Sequence, residues 1–380
     1  MSKKILFFYP NNPLTFNQGN NARANKLLHY FKSRKCDIDF VGIENIDFST
    51  DDIASLKNKG LINNGYLLPK RKNTGINYLF KTSIPNKINK YPRVFQWVYY
   101  NQKEQFEKIL EKNKYDYILI SYVHFFSLIE NKNLLKSAIT IVDTHDFFTS
   151  QYSDINYSYT GKIFSTELKL LDKFDTIWAI SIEEQFIFSQ FLPHKKIALI
   201  PHGVKNNKNK KDTHLNIDIL YTASDNPHNL HSAEWFLKKV YPLLPSDIRI
   251  TIVGKVNSII PDLPNIQKIT FIDNLDKLYQ QTKITICPML SGTGLKIKVV
   301  ESLSYGIPVV CNERGVDGLL SKINNGCLVT NDAQKFTNYI TTLLNNQDFY
   351  TIHKKNAEEF FSEALDENKV FDNIDSFFKF

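Results

Sequence analysis

PMLSGTGLKIKVVESLSYGIPVV, from Pro288 to Val310, is the stretch from which the fold of this chain is read. The run KITICP from Lys283 leads into it and IPVVC from Ile307 closes it, so two apolar, strand-like runs flank a glycine turn and a segment of helix length. That is the strand–helix–strand unit of a parallel sheet. Gly292 and Gly294 carry no Cβ, so the chain can turn sharply after the first strand and leave helix-start N–H groups open to an anion. Lys296 and Lys298 follow in the expected first helical turn, where the helix dipole disfavours a cation by about 0.3–1 kcal/mol. A bound anion, such as a di- or triphosphate or the diphosphate of an activated sugar, removes that conflict. Two helical turns span about 10 Å, which sets Glu301 at the distance of a ribose next to the phosphate. A tight turn with solvated lysines and a Lys298–Glu301 pair would use the same residues without a ligand.

The same alternation extends in both directions. Downstream of residue 215 come IDILYTA from Ile217, a helical stretch through Trp235 and Val240, IRITIVG ending at Gly254, KITFI from Lys268 and CLVT from Cys327. Leu230, Ala233, Leu237, Val240 and Leu244 recur every three or four residues, as one face of an amphipathic helix laid on a sheet. The first half opens with KKILFFYP, a polar loop and a helical pattern from Ala22 to Phe31. Strand-like runs then follow at Ile38–Ile43, Tyr115–Tyr122, Ala138–Asp143, Thr176–Ile180 and Ile197–Ile200. Between the second and third of these strands, Val94, Phe95, Val98, Tyr99, Phe106, Ile109 and Leu110 recur at helical spacing and predict a core-facing helix. VKNNKNKKDTH, residues 204–214, breaks the pattern and reads as a linker. The expected fold class is therefore α/β, with two doubly wound domains at 1–203 and 215–363 and a final helical stretch, 364–380, packing back on one of them.

Composition narrows the function classes. A chain of 380 residues with 42% hydrophobic and 23% charged residues builds two or three folded domains and is not a disordered tail. Its apolar runs fall short of the roughly 20 residues that cross a bilayer. Pro10, Asn11 and Asn12 end the first apolar run before it reaches signal-peptide length, so a cytoplasmic location is expected. Cys36, Cys287, Cys311 and Cys327 are far apart and are expected as free thiols, with no metal site. The net charge of +8 favours anionic ligands. The lysines of 204–214 are too few for a nucleic-acid arm, and no Gly-x-Gly-x-x-Gly or phosphate-loop motif is present. Asp37–Asp39 opens a strand and is taken as an incidental Asp-x-Asp.

GTGLKIKVVESLSYGIPVV resembles the donor-site signature of GT-B glycosyltransferases, especially the retaining enzymes of family 4 (glycosyl transferases group 1). YTASDNPHNLHSAEWFLKKVYPLL, IVGK at Ile252–Lys255, FIDNLDKLYQQ and PHGV at Pro201–Val204 fall in the same family order. The resemblance implies two Rossmann-like domains facing a cleft, the first for an acceptor and the second for a nucleotide sugar. On the donor side it points to Gly292, Thr293, Gly294 and Lys298, to Ser224 and Asn229 before the Trp235 helix, to Gly254 and Lys255, and to the backbone near Ile272 for the base. Catalytic roles fall to Lys296, Glu301 and His145. On the acceptor side, QGNNARANKLLHYF supplies Gly19, Asn20 and Arg23, and IVDTHDFFTSQY supplies Asp146 beside His145. Thr293 stands near where many members carry the first of two glutamates, so donor-sugar contacts cannot be copied across.

The implied activity is transfer of a sugar from a nucleotide donor to an acceptor hydroxyl, with retention, without a metal and without a cofactor. It would serve bacterial polysaccharide, lipopolysaccharide or glycolipid synthesis. The implied partners are the nucleotide sugar and a glycan or lipid-linked acceptor, with no nucleic acid. Lys70, Arg71, Lys72, Lys87, Lys90 and Arg93 add an expected peripheral contact with an anionic inner leaflet. A GT-B epimerase or phosphorylase, and a catalytically silent binding module, are the alternatives.

Overall fold

A computed structural model of the chain describes residues 2–15, 19–153, 157–210, 215–292 and 294–378. The chain divides into two compact units, Met1–Ile200 with Phe378–Phe380, and Pro201–Phe377.

The first unit contains β1 (Lys4–Phe8), β2 (Asp37–Ile43), β3 (Asn64–Leu68), β4 (Tyr117–Ser121), β5 (Ile139–Asp143), β6 (Thr176–Ala179) and β7 (Lys196–Leu199). They form one parallel sheet in the order β3-β2-β1-β4-β5-β6-β7. β4 is buried along its whole length and β1 nearly so. Central parallel strands have neither face to water, which is why these two read as unbroken apolar runs. β3 lies at the edge, is mostly half-buried and opens with Asn-Gly, a turn signal; the sequence pattern passes over it for that reason. Strand order reverses between β1 and β4, and open sheets place ligands at the carboxyl ends beside such a reversal.

The helix expected from Val94 onward begins only at Tyr100 and runs to Lys112. Arg93–Phe95 is a single 3₁₀ turn following Pro92, and the Tyr100 N–H donates to Thr82 Oγ1 at 3.0 Å. Phe95 and Phe106 are both buried, so the apolar spacing reports burial correctly although it spans two elements. Asp39 accepts from Tyr115 and Asn64, a structural use of the Asp-x-Asp.

The second unit contains β8 (Ile217–Thr222), β9 (Ile250–Val253), β10 (Ile266–Ile269), β11 (Thr282–Cys287), β12 (Val309–Cys311) and β13 (Cys327–Val329). All pair in parallel in the order β10-β9-β8-β11-β12-β13, reversing between β8 and β11. β10 stops at Ile269 rather than Ile272 because its register is set by the four residues of β9; Phe271 beyond it is exposed. The helix Pro227–Trp235 continues as a π-turn to Val240, burying Ala233, Phe236 and Val240 against the sheet.

The described part of the expected linker, 204–210, lies with the second unit. Val204 pairs with Asp366 as an isolated bridge, and the Asn207 N–H donates to Ser304 O at 2.8 Å. The run of lysines therefore hides backbone anchoring that its composition did not signal; residues 211–214 lie outside the described residues. The C-terminal helix Glu367–Phe378 belongs to the second unit up to Phe377. Phe378 lies with the first, its ring edge-on to Phe31, Tyr117 and Trp178. All four cysteines are free and buried. Among the described residues, no helix is long and apolar enough to cross a membrane.

Candidate functional site

In the second unit the decisive loop follows β11. Gly292 and Gly294 have φ of 88° and 79°, the left-handed region that side chains with a Cβ avoid, so the expected glycine turn is present. Thr293 lies outside the described residues. The helix that follows, Ile297–Ser304, starts one residue later than the pattern implied, with Lys296 at its N-cap and Lys298 inside the first turn. Lys296 is buried and folds back over the loop, its Nζ donating to Gly294 O at 2.7 Å and Gly292 O at 3.4 Å. It thereby ties the turn shut. Lys298 reaches 69 residues back along the chain, its Nζ donating to Asn229 Oδ1 at 3.1 Å and standing 5.8 Å from the centre of the Tyr221 ring. Burial lowers both lysines below the ordinary ammonium value. Among the described residues, no carboxylate stands within ion-pairing distance of Lys298; its partners are a neutral amide and a π-face.

Asn229 lies in the first turn of the Pro227–Trp235 helix, whose cap is Asn226: the Asn229 N–H donates to Asn226 Oδ1 at 2.8 Å. Ser224 Oγ, exposed after β8, accepts from Asn229 Nδ2 at 2.9 Å and Asn226 Nδ2 at 3.2 Å. His228 Nδ1 and Ser291 Oγ, 2.8 Å apart, join this helix start to the glycine loop. Gly254, φ 113°, follows β9 beside the same turn; a Cβ built on it would stand 2.1 Å from Ala223 O. The fold thus gathers Ser224, Asn229, Gly254, Gly292, Gly294, Lys296 and Lys298 at the carboxyl ends of β8, β9 and β11. Glu301 lies to one side, accepting from Tyr279 Oη at 3.1 Å, and not on Lys298. Ile272 packs on the small core that contains Tyr279. Lys255 is exposed, and no hydrogen bond or ion pair joins it to this group among the described residues.

In the first unit, Gly19 opens the helix Gly19–Ser33 and Asn20 Nδ2 donates to Tyr122 Oη at 2.7 Å. Arg23, expected at an acceptor, is buried and spent on Asp143: Nε and Nη2 fork onto its carboxylate at 2.7 to 3.1 Å. A buried guanidinium needs a buried counter-charge, and Asp143 at the end of β5 supplies it. Burial alone would raise Asp143, but Arg23 and His145 more than reverse this and hold it below the usual carboxylate range. His145 has φ 60° and places Nε2 3.1 Å from Asp143 Oδ2. Its ring lies nearly parallel to those of Tyr122, at 4.3 Å, and Tyr9, at 5.8 Å between centroids. Asp146, next along, is pushed up to about 6 by burial, against the pull of His145 and a Gln151 hydrogen bond.

Sequence reasoning missed several residues of this unit. His124 is stacked 5.2 Å from Tyr122 and tilted against Trp97 at 4.7 Å, is pushed down to about 3 by burial with help from Arg71, and has a buried Nδ1 without a hydrogen-bond partner. Glu167 and Glu184, both buried, are each pushed up to about 7. Glu167 accepts from the N–H groups of Phe148 and Thr149 at the start of a helical turn, and Glu184 sits against Thr144. None of these has a local sequence signal beyond a polar residue in an apolar run.

Residues 216–346 match the family model described as glycosyl transferases group 1. The match falls within the second unit. A Klebsiella pneumoniae protein described as an uncharacterized 44.6 kDa protein in cps region is 25% identical over 299 residues, 72% of this chain and 76% of that one. Two solved structures share the fold over nearly the whole length. HepE of Anabaena, in complex with UDP, gives a TM-score of 0.72 at 12% identity, covering 99% of both chains. Sucrose-phosphate synthase of Thermosynechococcus elongatus gives 0.70 at 13% identity, covering 99% of this chain and 98% of the other. Both sheets are thus those of the GT-B fold. The family match lies on the unit whose glycine loop opened the sequence reading, while the first unit, with its buried acids and histidines, lies outside it.

Proposed function

We propose that this chain is a glycosyltransferase whose second unit holds the diphosphate of a nucleotide sugar between the glycine loop and the Asn226-capped helix start, with Lys298 as its principal cation. The observation that carries this is Lys298 itself: a lysine lowered by burial, with an amide and a tyrosine ring as partners, in the first turn of the helix that follows the glycine loop. An anion there restores the missing counter-charge. As the sugar leaves, charge grows on the diphosphate oxygens, and Lys298 together with the N–H groups that Lys296 holds in place would stabilise it without a metal. Glu301 and Tyr279 would meet the ribose, with Ile272 nearer the base. The first unit would bind the acceptor, His145 positioning a hydroxyl for attack on the face the diphosphate leaves, so that configuration is retained. The complex of HepE with UDP-glucose and the cps region named for the Klebsiella relative support a nucleotide-sugar donor and a role in polysaccharide, lipopolysaccharide or glycolipid assembly.

Calorimetry of Lys298→Ala against UDP, ADP and GDP tests the donor site. A lost charge-assisted bond of about 1.5–3 kcal/mol corresponds to roughly tenfold or more in affinity. Equal affinity of wild type and variant for whichever nucleotide binds removes the diphosphate assignment. Inverted anomeric configuration in the product, read by proton NMR, removes the retaining one.

A further inference from the structure

Two cavities of the first unit share Arg71 and Trp97, the first of them at the carboxyl ends of β1 to β5. One, of about 550 Å³, is walled by Trp97, Tyr122, His124, Phe125, Phe148 and Tyr152. Flat aromatic faces of this kind fit the C–H faces of a sugar ring, and His124 Nδ1, buried without a partner, supplies an acceptor or donor for a hydroxyl. The other, of about 710 Å³, is of opposite character: Arg71, Lys87, Lys90, Arg93 and Lys162 line it together with neutral residues, and no carboxylate does. Among the described residues, none of the five cations forms an ion pair. Arg71 marks the boundary. Its guanidinium stands 4.6 Å from the Trp97 ring and 5.6 Å from Tyr99, and burial lowers its pKa against the opposing pull of Tyr99.

Five uncompensated cations around one cavity repel one another and attract a multiply charged anion. We propose that the two cavities form an acceptor subsite for a phosphate-bearing saccharide, its ring on the aromatic wall and its phosphate or diphosphate among the five cations. This rests on the glycosyl-transfer reading above and names the acceptor class it left open. The phosphate has two possible sources, a soluble phosphosaccharide or a lipid-linked one. Ile76, Phe80 and Ile88, exposed on the segment that carries Lys87 and Lys90, are placed to meet the lipid of the second.

The test is lysine acetylation of the full chain, read residue by residue by peptide mass spectrometry, with inorganic pyrophosphate as the probe. Pyrophosphate is expected to protect Lys87 and Lys90 but not Lys355, which does not line the cavity, and to do so equally in wild type and Lys298→Ala. In Lys90→Ala/Arg93→Ala, pyrophosphate should protect Lys87 about tenfold more weakly while UDP affinity is unchanged. Protection of Lys87 and Lys90 in a protein that binds no nucleotide would refute the donor site and leave the pocket standing. Unprotected Lys87 and Lys90 with UDP still bound would refute the pocket alone. Protection by phosphatidylglycerol vesicles and not by pyrophosphate would assign the cations to a membrane surface and overturn the saccharide site. Protection by pyrophosphate with no vesicle binding supports the soluble source, and protection by both supports the lipid-linked one.

Discussion

Replacing Asp143 by Asn should destabilise the first unit far more than any effect it has on nucleotide binding. The Asp143 carboxylate is fully buried and the Arg23 side chain is 4% exposed, with the fork closed at 2.7 to 3.1 Å. Removing one partner of such a pair leaves an uncompensated guanidinium in the interior, a cost of about 3–5 kcal/mol. For a unit of this size each kcal/mol lowers the melting temperature by about 2–4 °C, so a fall of roughly 6–20 °C is expected at pH 7. Differential scanning calorimetry measures it. Arg23→Met/Asp143→Leu, which removes both charges, should recover much of the loss. The pH dependence gives a second handle. Asp143 titrates below its unfolded value, so its contribution is complete above about pH 4 and fades as the pH falls below that. In Asp143→Asn that acid limb should shrink. A single variant melting within about 2 °C of wild type would refute the buried pair as the anchor of this loop.

Three further outcomes follow from the same geometry. Glu184 has the opposite sign to Asp143: its folded value of about 7 lies above the unfolded one, so it stabilises below about pH 4.5 and loses that contribution as the pH rises through 7. Thr144 Oγ1 lies 2.7 Å from Glu184 Oε2 and 3.0 Å from Trp178 O, and its single proton can serve both contacts only if Glu184 donates. Glu184→Gln, which can donate permanently, should therefore raise the melting temperature at pH 8 relative to wild type, and a lower one at every pH contradicts this. Gly254→Ala should cost about 1–3 kcal/mol or more from a left-handed φ and a clash with Ala223 O, read as a lower urea midpoint; an unchanged midpoint means the turn relaxes. His145→Ala should lower turnover while leaving UDP affinity as in wild type, since ring and nucleotide site lie on separate units; parallel losses in both would contradict a positioning role on the acceptor side.

Both parallel sheets were legible in the sequence because strand and helix periodicities are local, and central strands buried on two faces are continuous apolar runs. Edge strand β3 was not, since an edge needs less apolar surface and its Asn-Gly start mimics a turn. The donor loop was legible for a related reason: its glycines, lysines and helix occupy one contiguous stretch, and left-handed φ at Gly292 and Gly294 is a property of the residue type. The direction of each lysine was not. Lys296 turns onto its own loop and Lys298 onto an amide 69 positions away, choices settled by which acceptors the packed helix start presents.

Chain-local preferences, then, determined by themselves that this is an α/β protein of two open sheets with an anion-ready turn in the second. Tertiary structure alone decided that Arg23 and Asp143, 120 residues apart, close on each other, that two histidines and two tyrosines stack at the end of the first sheet, and that five cations scattered from Arg71 to Lys162 surround one cavity. Long-range pairing of this kind follows from strand order and the packing it enforces, and no window of sequence contains it.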